Sequence, residues 1–143
     1  MVEVEVGTLT GRALDYVIAT IEELPIEHDP MGFRDTANGG YWVWDKRPGG
    51  KMIQIGPKPA SHKGDYYSPS TRWEQLGPLV MKYPIVMGNH ESGKEDGKFW
   101  GSAHCFHSGT EFETYDGVMV AACRAIVAYK KGPTVKIPRS LLH

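Results

Sequence analysis

Helical periodicity near both ends of the chain, with short aromatic or alternating segments between, predicts an α+β fold. The expected architecture is a small mixed or antiparallel sheet packed by an N-terminal and a C-terminal amphipathic helix. A third observation agrees: the 17 glycines and 10 prolines concentrate between residues 25 and 110, so the middle consists of short elements joined by turns. No internal repeat is visible, and 143 residues suit a single domain over 1–143.

Val2, Val4 and Val6 alternate with Glu3 and Glu5, the period of a half-buried strand, and Gly7 breaks it. Thr8 or Thr10 then caps a helix with an apolar stripe of Ala13, Leu14, Val17, Ile18, Ile21 and Leu24, closed by Pro25. Residues 26–39 read as a polar linker. Tyr41-Trp42-Val43-Trp44 reads as an aromatic strand, 45–50 as a turn, 51–55 as its hairpin partner and 56–64 as loop. Thr71 and Glu74 stand three apart, the spacing of a capping box for a short helix through Leu76. Beyond the Gly77-Pro78 break, 79–83 continues it before a strand at 85–87. Residues 88–110, rich in Gly, Ser, Lys and His, are expected to form a loop insertion. A helix over 116–130 follows, with Val118, Met119, Ala122, Ala125, Ile126 and Tyr129 inward. Lys130 and Lys131 suit the negative end of its dipole, and Gly132-Pro133 stops it before an extended tail at 134–138.

Sixteen Lys+Arg against 17 Asp+Glu leave a net charge of −1, without the basic excess that generic nucleic-acid binding draws on. The two cysteines, Cys105 and Cys123, have no zinc-finger spacing and suit a reducing compartment. The N-terminus does not read as a signal peptide, and no apolar run approaches a membrane span. A cytoplasmic protein with no membrane partner is expected.

Three blocks carry a family resemblance. They are Leu9-Thr10-Gly11-Arg12-Ala13-Leu14-Asp15-Tyr16-Val17-Ile18-Ala19, then Tyr67-Ser68-Pro69-Ser70-Thr71-Arg72-Trp73 through Gly77-Pro78-Leu79, then Val120-Ala121-Ala122-Cys123-Arg124-Ala125 through Gly132. Together they resemble the phage NinX-like proteins, a bacteriophage and prophage group of unknown function. The middle block is the specific one; residues 26–66 and 88–112 carry no motif of the family. The resemblance implies a phage accessory protein in the bacterial host cytoplasm, and it implies no chemistry.

The loop Tyr67, Ser68, Ser70, Thr71, Arg72 and Trp73 is the leading candidate site. Its hydroxyls can donate to phosphate or carboxylate oxygens, Arg72 supplies charge, and Tyr67 or Trp73 offers a face for stacking. A plainer reading stands beside it: a proline turn whose hydroxyls cap the next helix, with Trp73 buried. The surplus of hydroxyls over what one cap needs favours a site. Arg124, among alanines in the last helix, reads either as an anion clamp or as a flank residue whose stem covers apolar surface.

Gly88-Asn89-His90-Glu91 has the look of a metallophosphoesterase strand end, but the companion motifs of that family are missing. His104 and His107, with His62, His90 and Glu91, lack a second ligand pair at standard spacing, so no metal site is assigned. Tyr41, Trp42, Trp44, Trp100 and Phe106 are core or interface aromatics by default, with Trp42 and Trp44 on one strand face. No nucleophile–base setting is legible, so neither catalysis nor a cofactor is expected. The expectation is stoichiometric binding of a small anionic, nucleotide-like ligand through the loop and Arg124, in a homo-oligomer, with sequestration of a host defence signal as one use. The alternatives are a module that inhibits a host protein and, behind it, a small metal-dependent phosphoesterase.

Overall fold

The C-terminal helix is the centre of the molecule. In α3 (Val118–Lys131) every residue from Val120 to Val127 is buried, so the helix is covered on all sides and not along one stripe. Tyr129, expected to face inward, is instead 46% exposed. Gly117 and Gly132 bracket the helix at φ 109° and 89°, backbone that L side chains rarely adopt. The computed structural model describes residues 1–29, 40–44, 52–56, 66–91, 97–106 and 110–142.

The fold is α+β, with three α-helices and three small, mostly antiparallel sheets among the described residues, where the sequence suggests one sheet. β1 (Val2–Glu5) pairs antiparallel with β9 (Thr134–Ile137), Val4 opposite Val135. β2 (Ile26–His28), β3 (Tyr41–Trp44), β4 (Met52–Ile55) and β5 (Tyr66–Tyr67) lie side by side in that order, the last pair parallel. β6 (Ile85–Glu91), β7 (Phe99–Cys105) and β8 (Phe112–Thr114) form the third sheet, against α3.

Two expectations are corrected here. Part of the expected linker is strand β2, which pairs with the aromatic strand. Much of the expected loop insertion at 88–110 is a long hairpin, β6–β7, in register from Ile85–Cys105 to Glu91–Phe99. Its inner face explains the misreading. Gly101, Ala103 and Cys105 face α3, which leaves few of the branched or aromatic residues that mark a strand. Gly101 has to be small: a Cβ there would lie 2.4 Å from the backbone of Val118. The turn at 45–50, the loop at 57–64, linker residues 30–39, His62 and His107 lie outside the described residues.

α1 (Gly11–Ile21) buries Ala13, Leu14, Val17 and Ile18 against the main core, as its periodicity predicts, and Ala19 against Val43, Ile53 and Ile55 of a second cluster. It ends before Pro25. The amides of Glu23 and Leu24 donate to the carbonyls of Thr20 and Ala19, and Glu23 adopts φ 56°. That pattern satisfies the last carbonyls of the helix and places a non-glycine residue in left-handed backbone. α2 (Trp73–Lys82) runs unbroken through Pro78, against the expected interruption, although proline brings no amide hydrogen to the helix.

Candidate functional site

The loop between β5 and α2 folds onto the middle of α1. Pro69 sets a turn in which the amides of Thr71 and Arg72 both donate to the Ser68 carbonyl, at 3.0 and 2.8 Å. The turn directs its polar groups inward, onto Asp15. The Ser68 hydroxyl donates to Asp15 Oδ2 at 2.8 Å, and the Ser70 amide donates to Oδ1 at 3.0 Å. With its own hydrogen directed at Asp15, Ser68 Oγ accepts from Thr71 Oγ1 at 2.7 Å. The Ser68 amide donates to Gln75 Oε1, and Gln75 Nε2 donates to the Tyr66 carbonyl at 2.8 Å. The expected capping box does not form: Arg72 occupies the N-cap position, and no side chain caps there.

Asp15 is fully buried, and burial pushes its carboxyl up to about 7 against the opposing effect of the Ser70 and Ser68 hydrogen bonds. Its protonation therefore changes near neutral pH. Burial also drives the neighbouring Tyr67 phenol well above its ordinary range, and the negative charge of Asp15 adds to this. The hydroxyls of Ser68 and Ser70 are thus buried and engaged around an internal carboxylate, and they do not form an open anion cradle.

What the loop shows to solvent is its rim. Trp73, expected to be buried in the plainer reading, is 50% exposed, and Thr71 is exposed beside it. The Arg72 guanidinium lies over the Tyr66 ring, 4.9 Å from its centre, donates to the Tyr66 carbonyl and pairs with Glu74. Along α2, Gly77 faces open space and Met81 is 88% exposed. Trp73, Gly77 and Met81 recur at four-residue intervals, so they share one side of the helix.

Arg124 stands apart from this rim. It is only 5% exposed, and its Nε donates to the Leu9 carbonyl at 2.9 Å while the guanidinium reaches Asp116 at 3.4 Å. Burial lowers its pKa, and the Asp116 charge opposes that. The residue fastens the turn before α1 to the central helix. Arg72 and Arg124 take separate partners and do not converge.

Gly88, Asn89, His90 and Glu91 are the last four residues of strand β6, as the sequence suggests. His90 stacks on Trp100 at 4.1 Å, and its Nε2 sits 2.9 Å from Ser102 Oγ. Among the described residues no three His, Cys, Asp or Glu side chains gather as a metal site. No helix there is long and apolar enough to cross a membrane. Trp42 is buried, while Trp44 is 42% exposed and donates to Glu27.

Sequence reasoning missed Asp15, the residue on which the loop is built. A signal was present, since Asp15 lies between Ile18 and Ala19 on the helical wheel, flanked by apolar residues. It is also the aspartate of the first motif block. Two of the three blocks that carry the family resemblance therefore meet in one hydrogen-bonded cluster, and the third supplies Arg124, which holds Leu9 at the start of the first. A family model described as "Bacteriophage P22, NinX" matches residues 5–130. No curated protein matches the chain.

Proposed function

Because the chain belongs to the phage NinX family, we propose that it is a phage accessory protein that works in the host cytoplasm by binding a host protein. The observation that carries this reading is the outer side of α2, where Trp73 and Met81 stand exposed two turns apart with the open surface of Gly77 between them. Tryptophan, methionine and arginine are the residue types enriched at protein interfaces, and Arg72 adds directional donors at one end of the strip. A partner would lay an apolar ridge along α2 and offer a carboxylate or carbonyl to Arg72.

Site-specific photocrosslinking from position 81 in host cells tests this. One discrete host protein should be captured, and Trp73→Ala should abolish capture with the circular dichroism spectrum unchanged. Capture that survives Trp73→Ala would remove the assignment.

A second reading keeps the small anionic, nucleotide-like ligand and moves it to the rim. It is favoured by the Arg72 cation next in sequence to the exposed Trp73, with Thr71 exposed on its other side. In that reading the ligand is held without turnover, and a second copy of the chain closes the site in a homo-oligomer. Native mass spectrometry with a nucleotide panel reads both points. One ligand per subunit, lost in Arg72→Ala, supports it; an unshifted mass across the panel dismisses it.

A further inference from the structure

The C-terminal ends of all three α-helices meet around one cavity of about 380 Å³. Its walls include Glu22 and Glu23 after α1, Lys82 and Tyr83 at the end of α2, and Tyr129 and Lys130 in the last turn of α3. Helix C-termini carry partial negative charge, so three of them together favour a cation. Two aromatic rings add to this: Tyr83 and Tyr129 stand edge to face with centres 6.2 Å apart.

The chain already places an ammonium group here. Lys82 Nζ lies 3.0 and 3.2 Å from the two oxygens of Glu22 and 5.5 Å from the centre of the Tyr83 ring. The Tyr83 hydroxyl donates to Glu22 Oε2, and burial, together with that bond, raises its pKa, so it stays a donor at neutral pH. The Glu22 side chain is 13% exposed, whereas that of Lys82 is 58% exposed. The acceptor is fixed and sheltered, and the amine that fills it reaches in from solvent on a long stem.

We propose that this cavity binds an alkylammonium group, carried by a free polyamine or by a lysine side chain of a partner, with Lys82 as its internal, displaceable occupant. Glu22 receives the ammonium, Tyr83 orients Glu22, and the Tyr83 and Tyr129 rings pack against the methylenes next to the charge. The site does not involve the Arg72–Trp73 rim, so either assignment can fail alone.

Spermidine and N-acetyl-lysine methylamide, titrated separately by NMR into wild type and Lys82→Ala, are the probes. Removing the occupant should tighten binding about tenfold if Lys82 fills the seat about nine-tenths of the time. In the Lys82→Ala background, Glu22→Gln and Tyr83→Phe should each weaken binding at least about tenfold, as expected for loss of a charge-assisted contact. Tyr83→Phe serves if Glu22→Gln does not fold. Saturation by spermidine assigns the free amine, and saturation by the lysine amide alone assigns a partner's side chain. No saturation of Lys82→Ala by either probe at millimolar concentration, or binding unaffected by Lys82→Ala, overturns the proposal.

Discussion

Asp15 is an ionisable group placed where ionisation is costly. Its carboxyl, at about 7 in the fold against an ordinary 3.8, binds its proton more tightly folded than unfolded. The sign follows: its contribution to stability is full below about pH 4 and is lost as pH rises through about 7. Unfolding free energies from urea titrations between pH 4 and 8 should fall with pH by on the order of 2–4 kcal/mol more in wild type than in Asp15→Asn, whose amide does not titrate. Equal slopes in the two proteins would show that the burial costs nothing. Glu23 offers a second test at this scale. Its left-handed φ of 56° suits glycine better, so Glu23→Gly should raise stability by about 0.5 kcal/mol at unchanged m-value. Arg124→Met should cost roughly 1–3 kcal/mol in the same assay, because the stem volume stays while the buried Leu9 carbonyl loses its donor. The hydroxyls of Ser68, Ser70 and Thr71 could be seen in the sequence as a polar cluster. The direction in which they point could not, because that depends on a carboxylate more than fifty residues earlier in the chain.

Elements were legible where their chemistry was local. α1 and α3 follow from periodicity and from the glycines that flank α3, and β1 follows from alternation. β7 was hidden because its composition answers to α3 and not to strand propensity. Gly101→Ala tests that dependence: its Cβ would sit 2.4 Å from Val118, so the helix has to shift, at a cost on the order of 3 kcal/mol. A thermal midpoint within a degree of wild type would mean that the hairpin yields easily. α2 was read as broken because Pro78 removes a donor, yet the helix continues, its ends held by the Gln75–Tyr66 and Lys82–Glu22 contacts.

Across the whole molecule, stability is divided unequally. The main core joins α1 and α3 with residues of α2, β6–β9 and the turn after β1, whereas Ala19, Val43, Ile53 and Ile55 form a smaller cluster under β3 and β4. Native-state hydrogen exchange should therefore find α3 and β7 opening only with global unfolding, and β2–β4 opening at lower free energy. Uniform protection would contradict that division. The pairing of β1 with β9 has a consequence for synthesis. β1 leaves the ribosome more than a hundred residues ahead of β9, the strand with which it pairs. Until β9 emerges, Val2 and Val4 lack their strand partner, and the Val6 amide lacks the Pro133 carbonyl to which it finally donates. Vectorial folding can assemble the segments between them early, but β1 and β9 can pair only once residues 134–137 have emerged.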